Sequence, residues 1–186
     1  MMKKYIIYTL GAIFGTILLI LIVGIIKFNF SDSDTAFNKE SVLKQDERAS
    51  YDVKNVTIKI VTTNVTFKNG ISELTDEGAD ANTVIKFFGE PVYNGQNEAY
   101  FYITQDSEGS GTFFYAAAAQ KKDGKWQGTN AVFLGDRIAP QNINIIDGIA
   151  NFNFADRIKG QPFSSPPRHG VTKRFSISDG MLKEVK

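Results

Sequence analysis

The residues best suited to chemistry crowd into one stretch, Leu134 to Gly160, where an acid–base dipeptide occurs twice, as Asp136-Arg137 and Asp156-Arg157. A carboxylate beside a guanidinium serves as a bidentate ion pair, as an ionic recognition site or, where burial moves the carboxyl toward neutrality, as an acid–base catalyst. The single histidine, His169, follows in Ser-Ser-Pro-Pro-Arg-His-Gly, and its ordinary titration range spans neutral pH. A hydrolase would draw on Asp136, Asp156 or His169, with Ser110, Ser164 and Ser165 as nearby hydroxyls. No Gly-x-Ser-x-Gly elbow accompanies them, and a Pro-Pro loop is an ordinary place for a solvated histidine.

Neighbouring residues on a strand point to opposite faces, so Asp136 and Arg137 do not pair with each other if a strand runs through them. If the strands ending at Leu134 and Phe154 lie side by side, Asp136 meets Arg157 or Arg137 meets Asp156. Such pairs would pin the loops Ile-Ala-Pro-Gln-Asn and Ile-Lys-Gly-Gln-Pro-Phe-Ser-Ser-Pro-Pro. Anchoring of loops is the plain reading of these charges, and an exposed recognition site is the functional one.

Several chemistries are excluded by composition. There is no cysteine, hence no disulfide, thiolate metal site, thiol nucleophile or acylated lipoprotein anchor, and one histidine rules out a three-histidine metal site. Neither GxxxxGK[ST] nor GxGxxG occurs. A net charge of +1 with scattered Lys and Arg argues against a nucleic-acid partner. No cofactor is expected.

The elements that must position these residues are strands. Val56, Ile58 and Ile60 repeat at period two, then Val65 and Phe67, closing at Asn69-Gly70, a dipeptide favoured in type I′ hairpins. Glu-Ala-Tyr-Phe-Tyr-Ile-Thr-Gln and Thr-Phe-Phe-Tyr-Ala-Ala-Ala-Ala-Gln flank a polar glycine-rich loop. Ala116 to Ala119 reads as strand despite its helix propensity, because four alanines supply little apolar surface and Phe113, Phe114 and Tyr115 before them favour a sheet. Asp123-Gly124, Asp147-Gly148 and Asp179-Gly180 mark further turns among short apolar runs. The rhythm predicts a mainly β domain, an antiparallel meander or small sandwich.

Aromatics crowd between Tyr93 and Trp126. Alternation predicts that about half face the core, leaving the others, Trp126 among the candidates, as a stacking surface for a glycan or an anchor for a protein. The sequons at Asn55 and Asn64 are too short a pattern to carry weight.

From Tyr5 to Ile26 the chain is apolar, aromatic, Gly or Thr without one charge. As a helix this run extends about 33 Å, enough for a bilayer core of roughly 30 Å. Lys3 and Lys4 precede it while Asp32 and Asp34 follow, which favours a cytoplasmic N-terminus, and no small-residue cleavage site ends it. The expected organisation is a cytoplasmic N-terminus (1–4), an uncleaved transmembrane helix (5–26), a juxtamembrane linker (27–54) with a short helix over 39–49, and an extracytoplasmic β domain (55–186). Gly11 and Gly15 form a GxxxG motif through which two copies could dimerise.

The marks Gly109 to Tyr115 (Gly-Ser-Gly-Thr-Phe-Phe-Tyr), Gly135-Asp136-Arg137, Ala155-Asp156-Arg157 and Gly170-Val171-Thr172-Lys173 occur in series over roughly Val65 to Val185. In this the chain resembles a group of short bacterial membrane-anchored or extracytoplasmic proteins of unknown function. The resemblance implies a bacterial envelope protein and brings no reaction with it. Members of that group often carry an acidic Asp-x-Asn/Asp-x-Asp turn; here the matching stretch, Gly89 to Ala99, holds only Glu90 and Glu98 as carboxylates, too few for calcium.

These readings combine into a single-pass membrane protein with a non-catalytic extracytoplasmic β domain. It would be a binding or structural module that meets an envelope protein or glycan through Asp136, Arg137, Asp156, Arg157 and Trp126. An envelope hydrolase is the alternative.

Overall fold

The computed structural model describes residue 50 and residues 52–75, 82–107 and 111–186, all within the unit Arg48–Lys186. The apolar run 5–26, Gly11, Gly15 and the helix expected over 39–49 lie outside the described residues. Among the described residues no helix is long and apolar enough to cross a membrane.

The domain is mainly β, twelve strands in two sheets. The first sheet holds β1 (Thr57–Ile60), β2 (Thr63–Thr66), β3 (Ile71–Thr75), β4 (Asn82–Asn94), β5 (Glu98–Ser107), β6 (Thr112–Lys122), β7 (Lys125–Gly128) and β8 (Asn130–Asp136). The second holds β9 (Ala139–Ile146), β10 (Ile149–Asp156), β11 (His169–Ser178) and β12 (Met181–Glu184).

The first sheet runs β2-β1-β8-β6-β5-β4-β3, with β7 a short ribbon on β6. It departs from a simple meander because β1 pairs in parallel with β8, through Lys59↔Asn130 and Ile60↔Ala131. Its two end strands are consecutive in the chain and joined by the tight bridge Lys68↔Ile71, so the sheet curls into a nearly closed barrel. Gly128 lets β7 lie close against β1: a side chain there would collide with the Thr57 carbonyl and Ile58.

The expected turns occur where the dipeptides stand. Asn69-Gly70, Asp123-Gly124, Asp147-Gly148 and Asp179-Gly180 all adopt paired positive φ, the backbone that a two-residue hairpin requires. β9 begins at Ala139, so Ala-Pro-Gln-Asn is strand rather than the loop expected. Pro140 fits because β9 is an edge strand and the β9–β10 ladder is irregular beside it.

Two cores share one pair of strands. Inside the barrel, Ala99, Phe101 and Ile103 of β5 and Tyr115, Ala117 and Ala119 of β6 meet Val56, Ile58, Ile60, Val65 and Phe67. The alternate residues, Tyr100 and Tyr102 of β5 and Phe114, Ala116 and Ala118 of β6, pack against Phe152, Phe154, Phe175 and Leu182 of the second sheet. Both faces of β5 and β6 are therefore buried. The alternation rule predicted outward-facing aromatics here; the second sheet covers that outer face, and Tyr100, Phe101, Tyr102, Phe114 and Tyr115 are all buried. Ala116 to Ala119 are fully buried as strand, their small side chains letting layers approach on both sides.

Polar groups stitch the layers. The Tyr102 hydroxyl donates to the Asn153 carbonyl at 2.8 Å, and the Asn130 amide accepts from Leu182 N at 2.8 Å while donating to its carbonyl at 3.2 Å. Burial raises the Tyr100 and Tyr102 phenols well above the ordinary tyrosine range, so both stay protonated as donors.

The described residues of the expected linker, Ser50 and 52–54 at its end, fold onto the barrel. Ser50, Asp52 and Val53 are helical, and Val53 is fully buried in the barrel core. Lys54 Nζ donates to both oxygens of Glu90, and Ser50 Oγ donates to Glu90 Oε2 at 3.0 Å. The Lys54 and Ser50 hydrogen bonds outweigh desolvation and hold the Glu90 carboxyl below its usual range.

Candidate functional site

The two Asp-Arg dipeptides meet at one end of the stacked sheets. β8 stops at Asp136, and Arg137 takes a positive φ of 51°, anchored by Arg137 N donating to the Thr112 carbonyl at 2.8 Å. β10 stops at Asp156, directly opposite His169 on β11. Asp156 Oδ2 lies against Gly135, which brings the two dipeptides together.

The cross-linked ion pairs are not formed: among the described residues no salt bridge joins Asp136 to Arg157 or Arg137 to Asp156. Asp136 and Arg137 instead approach each other, Oδ1 to Nε at 3.7 Å. The strand does not continue through them, so the opposite-face rule lapses at the turn. Asp156 turns back on its own chain, Oδ1 accepting from Arg157 N at 2.7 Å.

Arg157 is committed to main chain. Its Nε donates to the Ser165 carbonyl at 2.6 Å, Nη1 to the Arg137 carbonyl at 3.0 Å and Nη2 to the Phe163 carbonyl at 3.2 Å. One side chain thus fastens the loop after β10 to the turn after β8. The loop is anchored as expected, but through carbonyl oxygens rather than carboxylates. Within the loop, Gln161 N donates to the Ile158 carbonyl and Ser165 N to that of Pro162.

Arg137 is differently placed. Its side chain is 40% exposed and makes no hydrogen bond among the described residues. Its guanidinium carbon stands 5.0 Å from the centre of the Phe163 ring, with that of Arg157 at 5.7 Å, so two cations share one aromatic. Phe163 is itself 61% exposed. Asp136 Oδ1 is buried without a hydrogen-bond donor among the described residues. Gly111, at φ 121°, leaves it room: a Cβ there would come within 2.7 Å of that oxygen and 3.0 Å of Arg137 Nη2.

His169 is exposed, with no hydrogen bond to Asp156 or to a serine among the described residues. Among them, too, no group of three or more His, Asp or Glu side chains is placed to hold a metal. Trp126 lies elsewhere. It pairs with Lys121 near the far end of β6, whereas Asp136 pairs with Phe113 near its start, about 27 Å along the strand. Its ring is half-buried on the barrel core, 6.0 Å from that of Tyr93 and 5.8 Å from Lys121 Nζ.

Phe163 joins the site without having been singled out in the sequence, and Gly111 stood there only within the Gly109 to Tyr115 mark. Phe163 did carry a signal, as the lone aromatic in a Pro- and Ser-rich loop, an unusual place for a side chain meant for a core.

No protein-family profile, curated protein or solved structure matches the chain.

Proposed function

We propose that this chain is a single-pass membrane protein of the bacterial envelope whose β domain is a non-catalytic binding or structural module outside the cytoplasm. The full architecture is then one transmembrane helix at Tyr5 to Ile26, followed by a barrel-like sheet and a second sheet stacked on it. The uncharged span and the lysines before it support the topology.

The observation that carries the module reading is the contrast between the two arginines. Arg157 spends all three nitrogens on carbonyls of its own domain, building a fixed end, while Arg137 and the Phe163 ring are left at its surface. Fixed scaffolding with one exposed cation and one exposed ring is the anatomy of a recognition surface.

The hydrolase alternative keeps one favourable observation, the register that sets Asp156 opposite His169. It needs a carboxylate engaging that histidine, and Asp156 Oδ1 is engaged by Arg157 N instead.

The absence of cysteine allows a clean test. A Gln96→Cys change at the exposed β4–β5 turn should react in intact cells with a thiol reagent that does not cross the cytoplasmic membrane. Labelling only after lysis would overturn the topology. Purified protein should turn over no ester, amide or glycoside substrate; turnover abolished by Asp156→Asn or His169→Gln would replace the module with an enzyme.

A further inference from the structure

We infer that Arg137 is a receptor for a carboxylate, and that the exposed Phe163 ring beside it takes the apolar group next to that carboxylate on the ligand. The inference rests on the binding-module reading and names the chemistry of its ligand.

A guanidinium presents five N–H donors in a planar fork, and each takes an acceptor from the protein, from water or from a ligand. Arg157 obeys, with three carbonyls. Arg137 stands in the same cluster with none among the described residues: its neighbouring carboxylate oxygen, Asp136 Oδ1, is 3.7 Å from Nε, an ionic contact beyond hydrogen-bond reach. The Phe163 ring at 5.0 Å and the ionic contact with Asp136 hold the guanidinium in place, so its remaining donors are oriented before any ligand arrives.

The charges around the fork choose the ligand. Arg157 forms no salt bridge among the described residues, so the guanidiniums of Arg137 and Arg157 stand with the carboxylates of Asp136 and Asp156. Beside the Asp136 carboxylate the fork favours a singly charged planar anion, which it grips through two parallel hydrogen bonds. A doubly charged phosphate would meet the Asp136 carboxylate beside the fork, while Arg157 is already committed to carbonyls. Phe163 adds the second requirement, since a 61% exposed ring offers apolar area to the group next to the carboxylate. A peptide ending in an apolar residue, or an N-acylated apolar amino acid, carries both features.

The test uses the full-length protein in detergent micelles, with arginine side-chain N–H signals followed by NMR and the Arg137 signal assigned by its loss in Arg137→Gln. N-acetyl-L-phenylalanine should shift the Arg137 Nε–H and the Phe163 ring signals. Its C-terminal amide and inorganic phosphate should each bind at least tenfold more weakly. Arg137→Lys, which keeps the charge but not the fork, should lose at least fivefold. Phe163→Ala should lower the affinity for N-acetyl-L-phenylalanine to that for acetate.

Equal binding of acid and amide overturns the inference on wild-type protein alone, independent of how any variant folds. Phosphate binding as tight as the carboxylate, or full binding by Arg137→Gln, overturns it as well. Should the titration fail while Gln96→Cys is labelled from outside and no substrate is turned over, the ligand is wrong and the module stands. Labelling only after lysis removes the module whatever the titration shows.

Discussion

Replacing Arg157 with alanine removes three hydrogen bonds at once and leaves the carbonyls of Arg137, Phe163 and Ser165 without their donor. A hydrogen bond to a charged group contributes about 1.5–3 kcal/mol, at the low end here because the residue is partly exposed, and three bonds sharing one side chain do not add in full. The expected loss is about 2–3 kcal/mol, which for a domain of this size lowers Tm by roughly 6–12 °C. Arg137→Gln removes a side chain that makes no hydrogen bond among the described residues and one distant ionic contact, so its cost should stay within about 1 kcal/mol. The single tryptophan, Trp126, sits half-buried on the barrel core, and its fluorescence during heating reports this domain alone. Losses that are equal for the two variants, or an Arg157→Ala protein melting within about 2 °C of wild type, would refute the division of labour between these arginines.

Three further outcomes follow from the packing. Tyr102→Phe should cost about 1–2 kcal/mol in urea unfolding, because the carbonyls of Asn153 and Asn142 lose a buried donor. Ala118→Leu forces extra methylenes between the sheets and should cost at least about 1–3 kcal/mol, whereas Lys122→Leu at the exposed end of the same strand should stay within about 0.5 kcal/mol. Glu90 has a depressed folded-state pKa, so its contribution is present above its unfolded value of 4.5 and is lost as pH falls through the lower folded value. Glu90→Gln should therefore lower the urea midpoint at pH 7, and the difference should vanish once the pH has fallen below the folded value. The glutamate side chain is 72% exposed, which limits the effect to a few tenths of a kcal/mol.

Local signals in the chain were legible where they were strong. Period-two runs from Val56 to Phe67 are core, and four Asx-Gly dipeptides sit at tight turns, because both depend on neighbours within a few residues. β3 and β4 carried little signal: polar residues interrupt Ile71–Thr75, and Gly89 and Pro91 interrupt the ladder of β4, whose register shifts between Phe88 and Val92. Burial on both faces of β5 and β6 was hidden for a different reason. Alternation reveals two faces, but only the tertiary arrangement decides whether a second sheet covers the outer one. The Asp-Arg dipeptides were recognisable as a cluster, yet their bonds turned on the positive φ of Arg137, which no neighbouring residue type announces. Carbonyl acceptors for Arg157 were invisible in principle, since every residue carries one.

Because β5 and β6 furnish a wall to both interiors, the domain has no internal seam along which it can come apart. Detaching the second sheet would bare Tyr100, Tyr102 and Phe114 to water, and opening the barrel would strip support from the same two ribbons. Melting should then be a single cooperative event seen identically by Trp126 in one interior and by amide exchange at Phe152 in the other. A chain truncated after Asp136 should fail to fold, although it retains every strand of the barrel.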